Sequence, residues 1–247
     1  SRGLGDVYKR QAMEDLELHH LDVKTAFLNG DLDEEIYMQQ PPGYTSGPPG
    51  TVCRLLKSLY GLRQAPRAWH LKLKSTLESL GYIPTDSDPG IYVSKRPEGN
   101  VYLGVYVDDI LPAAKSTTAQ SEIKSQLSAI FDIRDLGPAS HFLGMRITRD
   151  RPALTLKIDQ ATMTKSLVSK FGLSDAKPKA IPADPDSRLQ HAKSESEYLD
   201  TTAYPYAELV GSLLYLSVVT RPDITYAVGA LSRFMSKPTL AHWNAAK

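Results

Sequence analysis

The chain has 247 residues, 41% hydrophobic and 23% charged, with a formal net charge of +1. This is the composition of one large or two small globular domains, not of a disordered or collagenous chain. A single cysteine, Cys53, excludes an intrachain disulfide, no apolar run nears the ~18 residues of a membrane helix, and the six histidines lack zinc-ligand spacing.

Residues 1–11 look like the in-frame translation of a sequencing-library adaptor and are expected to be non-native, with no fold information. They hold three basic residues and one acid, so without them the net charge of +1 becomes −1. Any nucleic-acid footprint is therefore expected to be local, not a general basic excess. The polar N-terminus lacks a signal-peptide core.

Residues 16–23 predict a strand with Asp22 near its end. Residues 24–30 predict a short turn closed by Asn29-Gly30. Asp22 is either the N-cap of that turn or a carboxylate presented by the strand. His19 and His20 would point to opposite faces of the strand, which excludes a shared ligand role. Residues 31–58 read as β-rich, with strands at 36–38 and 52–56 between Pro-Gly turns. Residues 66–81 predict a helix opened by proline and ended by glycine. Its apolar stripe at 69, 73, 77 and 80 places Trp69 in a core.

Residues 101–111 are apolar except for Asp108-Asp109. They predict a hairpin, with one strand over 101–107, the acids at the turn and a return strand over 110–114. Buried carboxylates are costly unless paired or bound to metal, whereas a solvated Asp-Asp turn is cheap. Pro112 removes a backbone donor and disfavours a central strand, which marks a decaying copy, an edge position or a sequence error. Further on, residues 116–131 predict an amphipathic helix, 140–147 and 153–158 two strands, and 160–171 a helix stopped by Gly172. Residues 173–203 read as a linker. Helices follow at 206–219 and 222–235, and the chain stops in helical sequence, as a truncated one would.

Asp22 and Asp108 each follow a β-like apolar segment. Side by side, those strands would gather Asp22, Asp108 and Asp109 at one sheet edge. Three carboxylates there would suit two magnesium ions about 3.5–4 Å apart, the arrangement of in-line phosphoryl transfer.

Six stretches occur in order: Leu21-Asp-Val-Lys-Thr-Ala-Phe-Leu-Asn-Gly30, Ile36-Tyr-Met-Gln-Gln-Pro-Pro-Gly43, Leu59-Tyr-Gly-Leu-Arg-Gln-Ala-Pro-Arg-Ala-Trp69, Tyr106-Val-Asp-Asp109, Phe142-Leu-Gly144, and Tyr215 through Thr220-Arg-Pro-Asp-Ile224 to Leu231-Ser-Arg-Phe-Met235. Through them, residues 12–247 resemble part of the reverse transcriptase of copia-type (Ty1/copia) LTR retrotransposon Pol polyproteins. The resemblance implies an α+β fold, a right-hand polymerase whose palm is an antiparallel sheet backed by helices. By it, 12–35 and 71–150 are palm, 36–70 partial fingers, 151–200 a thumb-like segment and linker, and 201–247 thumb or connection helices cut off before ribonuclease H. It implies RNA-directed DNA synthesis on a primer 3′-hydroxyl with two Mg2+ ions, Mn2+ being a substitute.

The same resemblance makes Asp22, Asp108 and Asp109 the catalytic metal carboxylates, Asp109 the more auxiliary. Phe27 stands as a steric gate against the ribose hydroxyl, with plain core packing as the alternative. Tyr60 and Gly61 join it at the nucleotide. Arg63 and Arg67 meet phosphates, unless they are simply a solvated helix start. Phe142, Leu143 and Gly144 form a primer grip, and Arg134 takes the place of a basic residue that protonates pyrophosphate. Implied partners are an RNA template, a DNA or tRNA primer, dNTPs, and integrase and ribonuclease H of the same Pol chain. The implied setting is an intracellular, cytoplasmic virus-like particle with a nuclear phase and no membrane.

The sequence departs from the pattern in two places. The basic triphosphate-binding residues expected before Asp22 are missing, and Pro112 stands where the family usually has leucine. The chain alone is thus expected to polymerise poorly and to expose apolar surface over 36–56. The alternative is a non-catalytic relic that keeps a nucleic-acid-binding fold.

Overall fold

A computed structural model describes residues 7, 9, 11–183 and 189–247. The chain divides into two compact units, residues 1–140 with 149–156 and residues 141–148 with 157–247.

The first unit is built on a six-stranded antiparallel sheet in the order β4-β5-β6-β7-β1-β8. Its strands are β1 (Glu17–Val23), β4 (Ile83–Pro84), β5 (Ile91–Ser94), β6 (Val101–Tyr106), β7 (Asp109–Ala114) and β8 (Ile133–Pro138). A separate hairpin pairs β2 (Tyr37–Gln39) with β3 (Val52–Arg54). The longer helices described in the unit are α1 (Ala65–Ser79) and α2 (Thr117–Ser128). Pro66 fits the first turn of α1, where its missing N–H is no loss. Gly81, at φ +83°, takes the left-handed position that ends it. Ser116 caps α2 by accepting the Ala119 N–H at 3.1 Å.

One core joins Leu21, Val23, Leu103 and Ile110 of the sheet to Trp69, Leu73 and Leu77 of α1 and to Ile123 and Leu127 of α2. Each such buried side chain contributes about 1.5–3 kcal/mol, so this core anchors the strands that carry the acids. Of residues 1–11, Val7, Lys9 and Gln11 are described. All are helical, and Val7 and Gln11 are buried.

The expectation of an edge position for Pro112 is overturned. It lies in β7, flanked by β6 on one side and β1 on the other. It pairs with Leu103 in an unbroken β6–β7 register. On the β1 side the paired residues are Glu17 and Leu18, then Leu21 and Asp22, which skips the position opposite Pro112. The buried Gln120 of α2 fills that gap: its Nε2 donates to the Glu17 carbonyl at 2.7 Å and to the Pro112 carbonyl at 3.0 Å. A side-chain amide thus links two strands where proline supplies no donor.

Strand β8 was not foreseen. Its residues are mostly exposed, and its sequence Ile-Arg-Asp-Leu-Gly-Pro lacks the apolar alternation that marks a half-buried strand.

In the second unit, β9 (His141–Phe142) and the start of β10 (Met145–Asp150) form a hairpin. Strand β10 and β11 (Thr155–Asp159) each cross the division between the units. The helices are α3 (Ala161–Lys170), α4 (Tyr206–Val219), α5 (Thr225–Ser232) and α6 (Leu240–Ala246). Phe171, Tyr206, Val210, Leu231, Phe234 and Trp243 share their core. The helix expected over 222–235 is shorter, because Pro222–Ile224 is a separate 3-10 turn. The expected linker holds little regular structure where described, and its residues 184–188 lie outside the described residues. Among the described residues, no helix is long and apolar enough to cross a membrane.

Candidate catalytic site

The acids meet at one end of the first unit's sheet. Asp22, near the end of β1, is the direct partner of Asp109, which opens β7. Directly opposed Cα atoms in antiparallel strands are about 4.5–5.5 Å apart. On its other side Asp22 is paired with Arg134 of β8, an exposed residue. The Val23 N–H donates to the Asp108 carbonyl at 2.8 Å, which ties Asp108 to the residue after Asp22.

The hairpin differs from expectation in one detail. Tyr106 pairs with Asp109, so the two-residue turn is Val107-Asp108, and Asp109 belongs to the return strand. Val107 has φ +56° while Asp108 has no positive φ. A positive φ at the first turn position alone is the type II′ pattern, normally given to glycine. A β-branched residue there is an outlier. The Trp69 indole N–H donates to the Val107 carbonyl at 2.7 Å.

The N-cap alternative for Asp22 fails. The short helix Ala26–Asn29 follows Thr25, and no side chain caps it. Asp22 stays in the strand. Its half-buried carboxylate, like that of Asp108, has no hydrogen bond or ion pair among the described residues. Asp109 is different: His20 Nε2 lies 2.6 Å from its Oδ1, with the two side chains 16% and 28% exposed. Sequence reasoning missed this partner, although His20 and Asp22, two apart on a strand, share a face. His19 is engaged elsewhere, accepting from Lys124 Nζ at 2.7 Å while Lys124 also bonds Asp135 at 2.7 Å. Burial, then the Lys124 charge, holds the His19 imidazole below its usual pKa.

The donor chemistry and backbone positions fit a hard divalent cation, since all three acids offer oxygen from one sheet end. The side chains do not form a ready ligand shell. Among the described residues, no group of three or more His, Cys, Asp or Glu is arranged to hold a metal ion. With Asp109 engaged by His20, Asp22 and Asp108 are the acids left for that role.

Phe27 lies in the helical turn just after β1, half-buried, with its ring 4.8 Å from that of Tyr60. It lines a cavity of about 150 Å³ with Trp69, Leu73, Tyr92, Val105 and Val107. Ser58 Oγ donates to the Phe27 carbonyl. Gly30 closes the turn against α1, where a Cβ would meet Ser58 Oγ at 2.7 Å and the Trp69 nitrogen at 2.9 Å. Only glycine allows that approach. Tyr60 is exposed and Gly61 takes φ +94° at the loop before α1. Arg63 and Arg67 are exposed there, and neither forms an ion pair among the described residues.

In the second unit, Leu143 (φ +48°) and Gly144 (φ +73°) form the turn between Phe142 and Met145. Two positive φ values are the type I′ pattern. Phe142 is buried, and the Tyr215 hydroxyl donates to the Leu143 carbonyl. This ties the turn to α4.

Comparison with known proteins gives consistent matches. The model of a family described as reverse transcriptase (RNA-dependent DNA polymerase) matches residues 9–185. The chain is 44% identical over 243 residues to the retrovirus-related Pol polyprotein from transposon TNT 1-94 of Nicotiana tabacum, covering 94% of this chain and 18% of that protein. It is 39% identical over 231 residues to the Pol polyprotein from transposon RE2 of Arabidopsis thaliana, covering 93% and 16%. It is 34% identical over 237 residues to a putative transposon Ty5-1 protein of Saccharomyces cerevisiae, covering 92% and 73%. The chain thus spans less than a fifth of the two Pol polyproteins.

Proposed function

Because this chain belongs to the reverse transcriptase family of copia-type Pol polyproteins, we propose that it carries the nucleotidyl-transfer site of an RNA-directed DNA polymerase. The supporting observation is the meeting of Asp22, Asp108 and Asp109 at one end of the antiparallel sheet. In this reading the six-stranded sheet is the palm, the β2–β3 hairpin belongs to the fingers, and the helices of the second unit are thumb or connection.

Asp22 and Asp108 would hold the divalent cations, two Mg2+ or Mn2+. Such ions, when bound, lower the pKa of a primer hydroxyl and neutralise charge on leaving pyrophosphate. Asp109, bonded to His20, supports the pair from behind. Phe27 would press on the sugar of an incoming dNTP, beside Tyr60 and Gly61. Arg63 and Arg67 offer unpaired guanidinium groups to template or nucleotide phosphates. The Leu143-Gly144 turn, braced by Tyr215, would seat the primer end. Arg134, the partner of Asp22 across the β1–β8 ladder, would offset pyrophosphate charge.

Template RNA, a DNA or tRNA primer, and dNTPs are the proposed partners. Integrase and ribonuclease H segments of a longer Pol chain would stand on either side, in a virus-like particle with cytoplasmic and nuclear phases. Pro112 gives no support to a non-catalytic relic, because the β6–β7 register runs through it unbroken.

Primer extension on an RNA template tests the proposal. It is run with this chain and with a form completed at its N-terminus by the corresponding segment of the tobacco relative. Divalent-cation-dependent extension by the completed form is expected, with weaker extension by the chain alone. Extension by neither form would overturn it.

A further inference from the structure

We infer that Trp69 is a positioning residue for Asp108. This rests on the reading of Asp108 as a metal-holding carboxylate. The peptide group is planar, so fixing the carbonyl of one residue fixes the N–H and Cα of the next. Asp108 is held this way on both sides. Before it, the Val107 carbonyl accepts the Trp69 indole N–H at 2.7 Å. After it, its own carbonyl accepts the Val23 N–H at 2.8 Å.

The first of these clamps faces a strained residue. Val107, at φ +56°, occupies a conformation that a β-branched side chain resists. Without an inward anchor the turn has an incentive to rotate toward ordinary dihedrals, and the Asp108 side chain would rotate with it. Val107 is itself 44% exposed, so its own packing holds the turn only weakly. Trp69 is rigid where Val107 is not. It is 2% exposed, it sits within α1, and its ring meets Phe131 edge-on at 5.2 Å. A phenyl ring keeps the aromatic packing only in part, because it lacks the second ring of indole as well as the N–H. The N–H is the group that reaches the turn, and the β6 and β7 signals report whether the core is kept.

The test is a Mn2+ titration of the full chain, followed by paramagnetic broadening of the Asp22 and Asp108 amide signals, on wild type, Trp69→Phe and Asp108→Asn. Trp69→Phe is expected to need about three- to tenfold more Mn2+, the range one hydrogen bond contributes, with the other β6 and β7 signals in place. A Trp69→Phe titration equal to wild type, with broadening lost in Asp108→Asn, would overturn the positioning role and leave the site assignment standing. Equal broadening in wild type and Asp108→Asn would remove the site assignment and this role with it.

If Trp69→Phe does not fold, indole exchange in the wild type decides. The chain has two tryptophans, so Trp243→Phe assigns the signals. A Trp69 N–H exchanging as slowly as β6 core amides supports the clamp. Exchange at the solvent rate overturns it.

Discussion

Asp22 and Asp109 stand opposite each other across the β1–β7 ladder, yet only Asp109 has a partner, His20 at 2.6 Å. Asp22 is left half-buried beside a second unpartnered acid, Asp108. The bond to His20 thus sets Asp109 apart from the other two acids.

Phe27 should act as the sugar gate. Phe27→Ala is expected to raise the ratio of ribonucleotide to deoxynucleotide incorporation by about 10–100-fold, the scale on which a pocket rejects one hydroxyl. Single-nucleotide extension with rNTP and dNTP checks this. An unchanged ratio would make Phe27 a packing residue of the cavity it shares with Trp69 and Tyr92.

Gln120 should be needed where Pro112 is. Gln120→Leu leaves the Glu17 and Pro112 carbonyls without their shared donor. Losing a buried partner costs about 1–3 kcal/mol. Urea unfolding should show a lower midpoint with an unchanged slope. A midpoint equal to wild type would mean that the β1–β7 contact does not depend on the amide.

His19 makes stability pH-dependent. Burial, then Lys124, lowers its folded-state pKa, against smaller opposing effects of Asp135 and Glu17. The unfolded chain therefore takes up the proton first as pH falls. The stabilisation is fully present above the ordinary histidine pKa of about 6.5 and is lost as pH drops from there through the folded value. Thermal melts between pH 7.5 and 5 should show a falling midpoint, with a shallower fall in His19→Gln. Parallel curves for the two proteins would exclude His19 as a cause.

Much of this was legible in the sequence, for identifiable reasons. The β1 strand, α1, α2 and the hairpin that carries Asp108 show strong periodicity or clear end signals, so their existence and order could be read directly. The three acids could be named because each follows an apolar strand. What could not be read depends on neighbours distant in sequence. His20 reaches Asp109 across 89 positions, Gln120 reaches Glu17 across 103, and β8 hides as a mostly exposed edge strand without apolar alternation. Pro112 misled because the expectation considered only its own strand. A glutamine from a helix joins its carbonyl to that of Glu17 on the next strand, which no local pattern reveals.

The most direct test of the catalytic assignment is single-turnover dNTP incorporation on an RNA-templated primer, comparing Asp108→Asn with wild type in the N-terminally completed form. Asparagine keeps the shape and removes the charge that would hold a cation. Folded Asp108→Asn is predicted to lose incorporation by at least about a thousandfold, the scale of removing a group on which a charged transition state depends. Incorporation within about tenfold of wild type would contradict the assignment of Asp108 as a catalytic carboxylate.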